Sequence, residues 1–322
     1  MQTQQPILVY SPEYNTDLNR FGVAKPFALD RGQRVLEALG QDLGAPVPYL
    51  VPKPISKADL LLVHTAAYLE TLNSPATWAE IFELKDDEYN PDGAERPLNE
   101  MLGDIRLKCG GTLLAAELAL KQGLSANLGG GYHHAFPDQG RGFCSLNDIA
   151  IAVRSLQKRS LCRNVLIVDL DFHQGDGTAL IFSGDPTVYT LSVHSQEGWP
   201  EEKQVSTLDV PVQEDEVASY QQKVEEAIEK ALSTFAADLC LYVAGSDPYE
   251  LDVLPGTKFI KLSLAEMRKR DEFVIDTFAD RRIPLAMVFA GGYGPNVWEV
   301  HYFATRRLLE RASRLKPSAI RR

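Results

Sequence analysis

The 322 residues carry 33 Lys and Arg against 44 Asp and Glu, a net charge of −11, which argues against a nucleic-acid backbone as the main partner. Apolar residues make up 44% and charged residues 24%, an ordinary globular composition at a length that suits one large α/β domain. No stretch approaches the ~18 apolar residues of a membrane span, and MQTQQPILVYSPEY has no basic region or signal-type apolar run. The four cysteines, Cys109, Cys144, Cys162 and Cys240, form no CxxC pair and read as reduced thiols of a cytoplasmic protein.

Short apolar runs alternate with helical patterns along the whole chain. PILVY (6–10) reads as strand, FALDRGQRVLEALG (27–40) as helix, and SKADLLLVHTAAYLETLN (56–73) as one helix with Ser56 as its cap. KDDEYNPDGAERPLNE (85–100) is a long acidic loop within one domain. Helix follows at 105–123, strand at 125–128, helix at 145–159 and strand at 164–171. A short helix at 177–182, strand at 187–193, helix at 216–235 and strand at 238–243 come next, then helix at 263–282, strand at 284–289 and helix at 296–313. No repeat or low-complexity linker interrupts the series, so residues 1–322 are expected to form a single domain. Strand–helix alternation implies a mainly parallel sheet with helices on both faces and a site beyond the carboxyl ends of the strands.

The polar and glycine-rich stretches fall at those ends: GGGYHH after SANL, DLDFHQGDG after NVLIV, AGSDPYELD after DLCLYV, AGGYG after PLAMVF. Asp169, Asp171 and His173 are two apart and share one face of an extended segment. Asp171 and His173 can approach one metal, and Asp247 from another strand end completes a three-ligand set. Two carboxylates and an imidazole suit Zn²⁺, and the oxygen-rich set also suits Fe(II) or Mn(II). Adjacent His133 and His134 suit one positioned base and one auxiliary, with Asp169 and Asp176 orienting the imidazoles. Tyr293, on a glycine-flanked loop, can donate a hydrogen bond to a developing oxyanion.

Together, GGGYHHAFPDQGRGFCSLNDIAIA, VDLDFHQGDG, AGSDPYELD and AGGYG resemble the zinc-dependent histone deacetylases and their arginase-like fold. The resemblance extends to LVYSPEYN and ADLLLVHTAAYLETL, and its details look most like the class IV enzymes and their bacterial relatives. It implies that Asp171, His173 and Asp247 bind the metal, that His134 is the general base and acid with Asp176 behind it, and that His133 is its electrostatic partner with Asp169 behind it. It further implies that Tyr293 binds the acyl carbonyl and that Gly142, Phe143 and Trp199 line an acyl-lysine tunnel. Structural K⁺ or Na⁺ sites are also implied, an inner one at Asp169, Asp171, His173, Ser192 and Val193 and an outer one at Phe182, Asp185 and Val188. Tyr132 before the histidine pair and the PYEL and VLPG segments around Asp252 depart from the family pattern.

Both readings converge on metal-assisted amide hydrolysis. The expected substrate is an Nε-acyl-lysine on a protein or peptide, with an acetyl or longer acyl group. The alternative is a small-molecule amidohydrolase acting on acetylated polyamines, for which Glu250 and Asp252 are candidate acidic rim residues. A non-catalytic regulatory module retaining the fold is the third reading, against which the complete residue set argues.

Overall fold

The computed structural model describes residues 6–315. Eight strands form one sheet in which every pairing is parallel. They are β1 (Leu8–Val9), β2 (Tyr49–Leu50), β3 (Leu124–Asn127), β4 (Val165–Asp169), β5 (Val188–Ser195), β6 (Leu208–Val212), β7 (Leu239–Val243) and β8 (Leu285–Val288), in the order β2-β1-β3-β8-β7-β4-β5-β6. β3, β8, β7 and β4 are therefore consecutive at the centre of the sheet. These are the four strands whose ends carry the polar motifs, so all four motifs emerge side by side.

The central strands are buried on both faces, and their side chains alternate between two cores. Leu166 and Val168 of β4, Cys240 and Tyr242 of β7, and Leu285 and Met287 of β8 enter one core. That core is closed by α1 (Arg31–Leu43), α8 (Tyr220–Thr234), α9 (Leu264–Arg281) and α10 (Trp298–Arg314). Val165 and Ile167, Leu239 and Leu241, and Ala286 and Val288 enter the other, beneath α5 (Met101–Gln122) and α6 (Asp148–Lys158). Local chemistry sets the helix starts: the Asn147 side chain accepts from Ala150 N, and Ser263 and Glu266 form a capping box for α9.

Three expectations change. The helix expected over 56–73 is two, α2 (Lys57–Leu60) and α3 (Ala66–Thr71). The Thr65 side chain caps the second, while His64 Nδ1 and Thr65 N donate to the carbonyls of Phe136 and Pro137 and hold the turn between them. α4 (Pro75–Ile81) and the edge strands β2 and β6 escape the sequence reading, because β2 spans two residues and β6 contains Pro211, a residue tolerated at an edge. In the acidic stretch 85–100, short 3-10 turns occupy Pro91–Gly93 and Leu98–Glu100, and α5 starts at Met101 rather than 105. The remaining helix, α7 (Asp176–Ile181), follows β4.

Candidate active site

Asp171, His173 and Asp247 are buried, with one donor atom from each lying within 4.8 Å of the others. His173 Nδ1 is 3.2 Å from Asp171 Oδ1 and 3.0 Å from Asp247 Oδ2. Backbone donors fix the carboxylates: Gly291 N donates to Asp171 Oδ2 at 2.8 Å, and Phe172 N to Asp247 Oδ1 at 3.0 Å. A Cβ on Gly291 would lie 2.5 Å from Asp171 Oδ2 and 2.7 Å from Asp247 Oδ2, so only glycine lets the loop after β8 pass here. Burial opposes charge on His173, but Asp171 and Asp247 override it and raise the imidazole to about 10. Burial and the charge of Asp171 push Asp247 up to about 7, so the second carboxylate is barely kept ionised. A divalent cation would relieve that conflict, and two carboxylates with one imidazole are a fitting donor set for Zn²⁺ or Fe(II).

His133 and His134 stand beside this cluster, their rings 4.0 Å apart. His133 Nδ1 is 2.7 Å from Asp169 Oδ2, and His134 Nδ1 is 2.7 Å from Asp176 Oδ1. With each Nδ1 engaged by a carboxylate, Nε2 is the ring nitrogen left for chemistry. Burial lowers both imidazoles, but Asp169 and Asp171 outweigh it at His133, which rises to about 9. At His134, burial and the neighbouring His133 charge win over Asp176, and the group falls to about 3. The loop that carries the pair is tied down by Asp148, whose carboxylate accepts from Gly131 N, Tyr132 N and Thr112 Oγ1.

Tyr293 and Phe143 line the same cavity as His133, His134, Asp171 and His173. Burial first, then the charges of Asp247 and Asp171, push the Tyr293 phenol well above its usual range, which keeps it a hydrogen-bond donor. Its ring lies 5.8 Å from that of Phe27 and 5.9 Å from that of Phe143. Trp199 packs on the other side, 4.6 Å from the His134 ring and 6.2 Å from the His173 ring. Gly142 makes room for this wall: it has φ +53°, and a Cβ there would lie 2.7 Å from Trp199 and 2.8 Å from His134.

Sequence reasoning missed three contributors and misplaced a fourth. Phe27 completes the aromatic wall. Arg31 donates to the carbonyls of Ala290 and Gly291 and clamps the loop carrying Tyr293. Fully buried Arg270 donates to the carbonyls of Leu170 and Gly245, each a residue or two before a cluster carboxylate, and pairs with Asp271 at 2.7 Å. Asp252, expected as an acidic rim residue, is instead 7% exposed and accepts from Tyr293 N, Leu254 N and Thr257 Oγ1. Glu250 is exposed, so only half of that acidic rim is available to a cationic substrate.

Ser192 lies opposite Asp169 in the β4–β5 pairing, with Val193 next along the strand, and the Ser192 hydroxyl bonds His194 Nδ1 at 2.9 Å. Phe182, Asp185 and Val188 sit in one turn, where Asp185 N donates to Phe182 O and Val188 N to Asp185 O. The Asp185 carboxylate is paired with Arg154 at 2.6 Å, and the Arg154 guanidinium covers the Phe182 ring, 4.7 Å from its centroid.

The histone deacetylase domain pattern matches residues 25–307. An uncharacterised protein of Picosynechococcus sp. is 36% identical over 313 residues, covering 95% of this chain and 98% of that protein. Histone deacetylase 2 of Arabidopsis thaliana is 34% identical over 89% of this chain and 74% of its own length. Acetoin utilization protein AcuC of Staphylococcus aureus is 30% identical over 87% of this chain and 75% of its own. Pattern, relatives and an all-parallel sheet with its polar cluster at the strand ends give one result: this chain belongs to the histone deacetylase family.

Proposed function

We propose that this chain, as a single catalytic domain of class IV type, hydrolyses the amide of an Nε-acyl-lysine on a protein or peptide. The observation that carries the reading is one cavity lined by Asp171 and His173 of the Asp171–His173–Asp247 cluster, by two carboxylate-anchored histidines and by the Tyr293 phenol. A divalent cation, Zn²⁺ or Fe(II), would be held by Asp171, His173 and Asp247 and would supply Lewis acidity and a water of lowered pKa. His134, oriented by Asp176, takes the proton of the attacking water at Nε2. Tyr293 donates to the carbonyl oxygen as negative charge develops on it. The acyl carbon gains the water oxygen, the C–N bond breaks, and the histidine pair returns the proton to the departing lysine amine. Phe27, Phe143 and Trp199 form the apolar walls that a slim alkyl chain requires.

Asp169 and the Ser192–Val193 segment suit an inner K⁺ or Na⁺. At Phe182, Asp185 and Val188 any such ion would rest on carbonyls, since Arg154 neutralises the carboxylate. Four unpaired cysteines support a reducing, cytoplasmic setting. The test is a substrate panel with metal content measured alongside: acetyl-, octanoyl- and myristoyl-lysine peptides and acetylspermidine, each with and without chelator. Turnover of an acyl-lysine peptide that chelator removes is expected. Turnover of acetylspermidine alone would transfer the site to small-molecule amides, and metal-loaded protein inert on the whole panel would contradict hydrolysis.

A further inference from the structure

The cavity does not end at the hydrolytic residues. Its wall continues past Leu128 to Met101, Ile105 and Lys108 on α5. Lys108 is 5% exposed, and among the described residues its ammonium meets no carboxylate within ion-pair distance and no hydrogen-bond acceptor. Asp104, one turn earlier on the same helix, accepts instead from Thr16. The Tyr14 ring, 6.0 Å from Nζ, is the aromatic neighbour. Burial lowers Lys108 to about 8, against the opposing pull of the Asp104 carboxylate and with Arg31 adding like charge nearby, and this leaves it charged at pH 7. Arg31 is already committed to the Ala290 and Gly291 carbonyls, whereas Lys108 is not committed to anything. A buried, unpaired ammonium is costly, and a cavity beside it is a place for its counter-charge.

We propose that Lys108 is a specificity residue that binds the free carboxylate of a dicarboxylic acyl group, succinyl or glutaryl in type, carried by the lysine that this site cleaves. The proposal rests on the acyl-lysine reading above. The cavity, about 120 Å³ in all, is bounded by the Phe27 and Phe143 rings as well as by Lys108, so one continuous space serves the lysine chain and its acyl group. Met101, Ile105 and Leu128 offer methylenes an apolar lining on the way. A plain alkyl tail would cover the ammonium without pairing it, whereas a carboxylate would form the charge-assisted bond that it lacks. The reaction is the same hydrolysis: water adds to the acyl carbon, the C–N bond breaks, the amine leaves with the proton, and a dicarboxylate is released.

The test uses the metal-loaded full chain and one peptide bearing acetyl-, succinyl-, glutaryl- or glutaramoyl-lysine, the last being the uncharged amide of the glutaryl group. Wild type is expected to favour glutaryl or succinyl over glutaramoyl by at least about tenfold in kcat/KM, through KM. Lys108→Met and Lys108→Gln should bring that ratio to about one, and Lys108→Arg should restore part of it. No carboxylate preference in wild type, or a preference that survives both neutral variants, would overturn the proposal. The same follows if the variants change only inhibition by free acetate, which would assign the cation to product. If no acyl peptide turns over, the acyl-lysine reading itself fails. Calorimetry with N-butylglutaramate then decides: weaker binding to Lys108→Gln than to wild type, by about tenfold, retains the carboxylate site, and equal binding discards it.

Discussion

Two sets of buried charge flank the same central strands, one beyond their carboxyl ends and one on α9. At the strand ends, Asp171, Asp247 and His173 hold two carboxylates against one imidazole. Behind them, Arg270 and Asp271 form a fully buried pair whose charges balance. One oxygen of Asp271 accepts from the Arg270 guanidinium and from the Tyr242 hydroxyl at 2.5 Å, and the remaining Arg270 donors reach backbone carbonyls. The second set balances its own charge within the chain, with only Asp271 Oδ2 left without a hydrogen-bond partner among the described residues. The first does not, and Asp247, pushed up to about 7, shows the cost. Buried charge that balances itself holds the fold, and buried charge that does not is built for something that arrives later.

The largest effect should come from Asp247→Asn, which keeps the bond from Phe172 N but removes a charge. Elemental analysis should find well under one equivalent of divalent metal, turnover should vanish, and the metal-free melting temperature should not fall. A full equivalent of metal in that variant would break the comparison from the catalytic side. Arg270→Met should do the reverse. It strands Asp271 and should cost about 3–5 kcal/mol in denaturant unfolding. Only a small loss of stability there would break it from the structural side.

Tyr293→Phe should retain metal and fold while losing about 10²–10³-fold in kcat, the value of one oxyanion donor. Near-full activity would remove Tyr293 from the mechanism. The smallest effect concerns His64, buried between the Phe136 carbonyl and Asn147 N, and lowered by burial to about 4. The unfolded imidazole titrates near 6.5, so between those values the unfolded state binds the extra proton and stability falls as pH drops. His64→Gln should show a shallower loss of stability from pH 6.5 to 4, and an unchanged slope would show that other groups set it.

The central sheet was legible because β4, β7 and β8 are apolar runs and β3 a short buried one, each leading within a few residues to glycine, histidine or aspartate. A parallel sheet places all such stops on one rim, so Asp171, His173, Asp247, the histidine pair and Tyr293 could be grouped from order alone. The edges were not legible. A two-residue β2 has no period to read, and Pro211 argues against strand until its position at an edge is known.

The supporting charges were hidden for a different reason. Arg270–Asp271 looks like any exposed pair on a charged helix, and Arg31 and Lys108 lie on helical stretches without a motif. Only the packing of α1, α5 and α9 against the sheet buries them. Asp252 shows the same limit in reverse, since its surface-like sequence conceals an anchor for the Tyr293 loop.

The most direct test of the central claim is a metal titration of chelator-stripped protein, read by hydrolysis of an acyl-lysine peptide. The account predicts no turnover in the stripped protein and recovery that saturates at one equivalent of Zn²⁺ or Fe(II) per chain in wild type, with none in Asp247→Asn. Turnover by metal-free protein, or recovery in Asp247→Asn equal to wild type, would contradict it.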